Sequence, residues 1–138
     1  MDLKAGDTIP DWVMESVSAA RMRTMAAILR DPNPVHWDRE AVNKLGMGLG
    51  RRTINQGPLG LSYMVNMIHE WAGPGSLERL YMTFPKVLLD GDHITAKGKV
   101  TDVKEDDKGK LAVCDVWLER KGETEPLLKG EAHVRLKS

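Results

Sequence analysis

Cysteine is almost missing from this chain. The single Cys114 has no partner for an intramolecular disulfide, and no Cys-x-x-Cys pair is available for zinc or redox work. Excess charge is missing too: 20 Lys and Arg face 20 Asp and Glu, for a formal net charge of zero. A nucleic-acid binder would need a basic surplus on one face, and a disordered acidic tail would need the reverse, so neither class is expected. No apolar run approaches the roughly 20 residues of a membrane span. The opening Met-Asp-Leu-Lys-Ala-Gly-Asp carries no apolar core of a secretory signal. A reducing, cytoplasmic setting without membrane attachment is therefore expected. Aromatics are few, four Trp, two Tyr and one Phe, whereas methionine is abundant at eight, as adaptable filler for a core or an apolar surface.

What is present suits a single globular unit over residues 1–138, long enough to bury about two-thirds of the surface its unfolded chain exposes. There is no internal repeat and no long linker. Residues 12–17 read as a first strand. Ser18 then caps a helix to Leu29, with Met22, Met25, Ala26 and Leu29 on one stripe. That helix must end before Pro32, because the residue preceding a proline is pushed out of the α region. Asp38 caps a short helix over 39–44, followed by Gly46, Gly48 and Gly50, which mark a flexible segment. The longest helix opens at Gly57-Pro58 and ends at Ala72. Apolar residues cover most of its circumference, leaving Ser62, Asn66 and His69 or Glu70 as a polar stripe, the pattern of a buried helix. Strands follow over 77–84, 93–105, 111–120 and 127–136, with turns at Asp90-Gly91-Asp92, Asp106-Asp107-Lys108-Gly109 and 122–126. Short connections predict an antiparallel meander. The sum is an α+β fold with a curved sheet around the central helix.

The segment that carries chemistry is Asp31-Pro32-Asn33-Pro34-Val35-His36-Trp37-Asp38. Two prolines stiffen a loop that holds a carboxylate and an imidazole five positions apart. An unperturbed imidazole titrates near pH 6.5 and exchanges protons near neutrality, and a neighbouring carboxylate completes an acid/base pair acting on one water. Asn33 can orient either partner. From spacing alone, two other readings stand beside this one: ordinary turn formers with a satisfied loop histidine, and a metal site from Asp31, His36 and Asp38. The metal site is disfavoured because a hard-cation loop offers more oxygen ligands and a glycine turn.

The same residues resemble a known family. Asp31-Pro-Asn33-Pro34-Val-His36-Trp-Asp38-Arg-Glu-Ala41 is similar to the hydratase motif of the MaoC-like dehydratases, the (R)-specific enoyl-CoA hydratases: Asp-x-Asn-Pro-aliphatic-His, then x-Asp-x-x-Ala. Gln56-Gly57 resembles the step into that family's central helix. Phe84-Pro85-Lys86-Val87 with Asp90-Gly91-Asp92 resembles the entry to its long strands. The resemblance runs in order over about residues 7–136. It implies a hot-dog fold, a long helix gripped by an antiparallel sheet, usually in a dimer. It also implies addition of water across a trans-2-enoyl-CoA thioester to give the (R)-3-hydroxyacyl product. Asp31 and His36 would activate the water, Asn33 would hold the pair, and the Gly57 N–H at the helix N-terminus would donate to the thioester oxygen, where enolate charge develops. The thioester is its own electron sink, so no metal or redox cofactor is implied, and coenzyme A belongs to the substrate.

Two departures from the family pattern stand out. Leu29-Arg30 occupies positions where Ser/Thr-Gly is typical, and Pro58, which has no N–H, follows Gly57 where Met is common. Secondary candidates are Ser62, which can face the thioester or bond back to a helix carbonyl, and Arg51 and Arg52, whose forks suit coenzyme A phosphates but also a solvated loop. His69, His93 and His133 read as structural or surface residues, and Cys114 has no cue for activation. Two rival functions remain open: a non-catalytic or partner-dependent subunit of a heteromeric hydratase, and an acyl-CoA thioesterase. The Trp71-Ala72-Gly73-Pro74 helix exit resembles the small subunits of steroid side-chain hydratases, which work with a second hot-dog chain.

Overall fold

A computed structural model describes residues 2–137. Its order is β1 (Thr8–Met14), α1 (Ala19–Leu29), a 3-10 turn (Pro34–His36), α2 (Arg39–Lys44), α3 (Gly57–Ala72), β2 (Leu77–Thr83), β3 (Ile94–Asp106), β4 (Gly109–Arg120) and β5 (Leu128–Arg135). The five strands form one antiparallel sheet in the order β1-β3-β4-β5-β2. The sheet packs its inner face on α3, which is the hot-dog arrangement.

The packing follows from residue spacing. Tyr63, Met64, Met67 and Ile68, at i, i+1, i+4 and i+5, are each at most 2% exposed and face the sheet. Against them stand the alternate residues of the long strands: Ile94, Ala96 and Val100 of β3, Cys114, Val116 and Leu118 of β4, Ala132 and Val134 of β5. A period of two on the sheet thus meets a stripe on the helix. Trp12 of β1 stacks on Tyr63 with ring centroids 5.8 Å apart. Burial pushes the Tyr63 phenol up to about 12, against a weaker pull from Arg21. Burial, helped by Asp115, pushes the Cys114 thiol up to about 11, so it stays protonated and inert at neutral pH.

Three expectations need correction. The four late strands are not a simple meander: β3, β4 and β5 are, but β2 lies at the far edge against β5. The connection from β2 to β3 is no hairpin, because its backbone is engaged elsewhere. Leu88 O accepts from Asn55 N–H at 2.7 Å, Leu89 bridges Ile54, and Val87 O accepts from Arg120 at 2.7 Å. This carries the chain across the end of the sheet. Secondly, β1 starts at Thr8, not at Trp12, and ends at Met14. Pro10 argues against a strand in sequence, but β1 is an edge strand with a register shift between Ile9 and Trp12, where a missing N–H is tolerated. Thirdly, the α1 stripe is only partly covered. Met22 is fully buried, Met25 and Ala26 are half-buried, and Leu29 is 41% exposed, because the last turn of α1 runs out towards the 31–38 loop.

Gly130 has a strict reason to be glycine. A Cβ there would sit 1.8 Å from the carbonyl oxygen of Tyr81, inside the β2–β5 ladder. Backbone cannot yield locally as a flexible side chain can. Gly130→Ala should therefore break the pairing of β2, with a stability loss on the order of 2–4 kcal/mol. Urea unfolding measures it, and a loss within about 0.5 kcal/mol would show that β2 can move aside.

Candidate active site

The loop that follows α1 is built by local hydrogen bonds. α1 closes with Arg30 in the left-handed conformation (φ 52°, ψ 40°) and with Asp31 N–H donating back to Ala26 O at 2.9 Å. Glycine would adopt this conformation freely, and arginine does so at a cost of about 1–2 kcal/mol. Arg30 thus takes the backbone course that the typical glycine would take, and the departure noted at this position leaves the approach to Asp31 intact. Asp31 Oδ1 then accepts the N–H of Asn33 at 3.1 Å, and Asn33 Oδ1 accepts the N–H of Val35 at 3.2 Å. Asn33 thus steadies Asp31 through its main chain and caps the 3-10 turn through its side chain. Pro34 opens that turn with a ring that already fixes φ. Asp38 turns its carboxylate onto the N–H groups of Glu40 and Ala41 and caps α2, away from any role as a third ligand.

The 3-10 turn brings His36 back beside Asp31, with Nε2 and Oδ2 3.4 Å apart. On its other side, His36 Nδ1 lies 2.7 Å from the carbonyl oxygen of Ile54. A carbonyl only accepts, so Nδ1 carries the hydrogen, and in the neutral form of the ring Nε2 carries the lone pair and faces Asp31. A neutral Nε2 and a carboxylate are both acceptors and cannot bond to each other. A water bridging the two from the side, donating one hydrogen to each, would resolve the conflict and keep its lone pairs facing outward. The side chains of His36 and Asp31 are 14% and 35% exposed, open enough for water to enter.

Ile54 ties this pair to the helix. Its N–H donates to Val35 O at 2.8 Å, and three residues later α3 begins at Gly57. The N-cap Gln56 makes no side-chain capping bond, and Pro58 has no N–H, so the first-turn amide of Gly57 lacks an intrahelical acceptor. Phe84 lies over Gly57, its ring 3.5 Å from where a Cβ would be. A cavity of about 280 Å³ opens here, bounded by Ile54, Asn55, Gln56, Gly57, Phe84 and Leu128 among others. His36 and Asp31 do not line it and meet its wall through Ile54. A larger hollow of about 620 Å³ lies on the outer face of the sheet beside Tyr81 and Trp117, and no catalytic candidate lines it.

The secondary candidates are already engaged. Ser62 Oγ donates to Leu59 O at 2.5 Å, the back-bonded alternative. Arg51 pairs with Glu40, and Arg52 with Asp92 while also donating to Asp90 O at 3.0 Å. Sequence reasoning took Asp90-Gly91-Asp92 as a turn and missed its second role. Asp90 Oδ2 accepts from both the hydroxyl and the N–H of Thr53, at 2.7 and 2.5 Å, and faces Arg39 at 3.2 Å. No local signal marked it, since its partners Thr53 and Arg39 stand 37 and 51 positions away in the chain. The Ile54 carbonyl left no signal, since every residue has one.

The sequence matches the family model described as MaoC like domain over residues 6–119. None of the curated proteins matches it. Among solved structures it is similar to the (R)-hydratase from A. caviae involved in PHA biosynthesis, at 25% identity and TM-score 0.83, covering 99% of this chain and 98% of that one. It is similar to the R-hydratase PhaJ1 from Pseudomonas aeruginosa at 19% identity and TM-score 0.79, covering 98% and 83%. It is also similar to a chain of the ChsH1-ChsH2 complex from Mycobacterium tuberculosis at 17% identity and TM-score 0.80, covering 99% and 100%.

The Asp90 carboxyl is held below the usual carboxylate range. Burial pushes it up, but the Thr53 hydroxyl and amide, and then Arg39, outweigh that. A carboxyl whose folded pKa is depressed stabilises the fold above its unfolded value, about 3.9, and that contribution fades as pH falls through the lowered value. The urea midpoint should therefore fall more steeply below about pH 4 in the natural protein than in Asp90→Asn. Parallel curves for the two would exclude this coupling.

Proposed function

The chain belongs to the MaoC-like dehydratase family, and from that premise we propose that it is an (R)-specific enoyl-CoA hydratase, adding water across a trans-2-enoyl thioester and, in reverse, dehydrating the 3-hydroxyacyl product. One observation carries the reading: His36, with Nδ1–H on Ile54 O, turns a free lone pair to a carboxylate 3.4 Å away. That is the arrangement that seats a single water with its oxygen free to attack. Two titratable groups on one water, beside a helix N-terminus, are the parts this reaction needs.

The steps balance as follows. The water oxygen bonds to the β-carbon, and His36 Nε2 takes the water proton. The electron pair of the double bond moves to the thioester oxygen, where the Gly57 N–H and the α3 dipole offset the developing charge. His36 passes its proton to Asp31 across the short gap, and Asp31 delivers it to the α-carbon. Both groups end as they began, so the same path runs backwards for dehydration. Asn33 keeps Asp31 in place. Ser62 and the Arg51-Arg52 pair enter only as secondary contacts, to the thioester and to coenzyme A phosphates, since each already has a partner.

We take the chain as one MaoC-like hot-dog domain that works as a dimer. Trp37, next to His36 in sequence, is 45% exposed, and Phe84, over Gly57, is 48% exposed; a second hot-dog chain would cover apolar surface beside the site. The similarity to a chain of the ChsH1-ChsH2 complex supports a second reading, in which that partner is a different hot-dog chain. No helix among the described residues is long and apolar enough to cross a membrane.

Hydration of crotonyl-CoA and longer enoyl-CoA thioesters, followed by loss of absorbance of the conjugated double bond, tests the reading. Asp31→Asn and His36→Gln should each fold and lose about 10²–10⁴-fold in kcat, the range for removing a general acid or base. Folded variants with full activity would remove both roles. Release of free coenzyme A in place of a 3-hydroxyacyl product would identify a thioesterase.

A further inference from the structure

A charge buried away from bulk water is costly unless it is paired and hydrogen-bonded, so a buried carboxylate outside the reacting groups invites a question about what it holds. Asp90 is 8% exposed and takes no part in the water chemistry. All three polar groups of Thr53 are bonded to it. The Thr53 N–H and hydroxyl both donate to Asp90 Oδ2, and the Thr53 carbonyl accepts the Asp90 N–H at 2.9 Å.

The next residue is Ile54, and two successive peptide planes transmit the hold. The Thr53–Ile54 peptide bonds to Asp90 N–H through its oxygen and to Val35 O through its N–H. The Ile54–Asn55 peptide accepts His36 Nδ1–H through its oxygen and donates its N–H to Leu88 O. Each plane therefore spans from the 88–90 segment to the catalytic loop. The opposite side is closed by Arg39, one residue beyond the loop's Asp38 cap, whose Nη1 lies 3.2 Å from Asp90 Oδ2 and 2.9 Å from Arg51 O. A ring of contacts results, running from His36 through Ile54, Thr53, Asp90 and Arg39 back into the loop.

We propose that Asp90 is a positioning residue for His36, acting through Thr53 and the Ile54 carbonyl to hold the imidazole in the Nδ1–H tautomer with Nε2 turned to Asp31. The proposal rests on the hydratase reading for its effect on turnover, but the tautomer itself is independent of any activity. The charged groups facing Asp90 are Arg39 from α2, and Arg52 on its carbonyl; Arg52 and Arg120 on the neighbouring Asp92 complete the surroundings.

The test is ¹⁵N–¹H NMR of the His36 ring in the whole chain at alkaline pH, where an imidazole is neutral, with crotonyl-CoA hydration measured in parallel. The natural protein should show one tautomer with its hydrogen on Nδ1. Asp90→Asn, folded by near-ultraviolet circular dichroism, should show a mixture of tautomers and a kcat lower by about tenfold or more, with KM within about twofold, the scale seen when an orienting partner of a functional imidazole is lost. Thr53→Val removes one hydroxyl donor and carries the same test if Asp90→Asn does not fold; it should move both readouts in the same direction by less. A folded variant whose ring keeps the single Nδ1–H form, or one whose tautomer changes while kcat stays constant, overturns the proposal. A natural protein inactive on enoyl thioesters would defeat the hydratase reading alone, and the ring spectra would still decide the tautomer.

Discussion

The bond from His36 Nδ1 to the Ile54 carbonyl is the constraint from which the rest of the site follows. A loop histidine without it would sample both tautomers and several rotamers. With it, one nitrogen is occupied by an acceptor that cannot donate, and the other faces a carboxylate, as an acceptor whenever the ring is neutral. In that form the two acceptors repel each other unless a group with two hydrogens bridges them. A water is one molecule that meets that condition, which neither residue sets alone.

That bond in turn depends on the sheet and helix. Ile54 belongs to a short extended segment wedged between the 31–38 loop and the 87–90 connection, and it leads directly into α3. The central helix is apolar along the face that meets the sheet. Its N-terminus begins three residues after Ile54, which is bonded to Val35 and His36 of the loop that follows α1. The fold thereby links the Asp31–His36 pair to the start of α3 through Ile54.

Much of the frame was legible in order along the chain. The bounds of α2 and α3 follow from Asp38, Gly57-Pro58 and Gly73, because capping groups and proline act on their immediate neighbours. The strands of the second half follow from alternation. The sheet order was not legible: β2 pairs with β5 because its connection is tied down by Asn55, Ile54 and Arg120, each distant in sequence. Nor was the extent of β1, where the edge position tolerates Pro10. The candidate pair could be named from Asp31-Pro-Asn-Pro-Val-His36, since the course of that loop is set within six residues, whereas the hold on the imidazole ring comes from Ile54.

The chain alone therefore determined what is local: the rigid loop, the helix starts, the apolar stripe of α3, and the family to which these belong. Tertiary structure alone decided what depends on groups far apart. It chose the His36 tautomer through the Ile54 carbonyl, engaged Arg51 and Arg52 with Glu40 and Asp92, and buried Asp90 against Thr53. The reason is that main-chain carbonyls are identical at every position and a charge has no partner until the fold brings one near, so neither leaves a mark in composition or spacing.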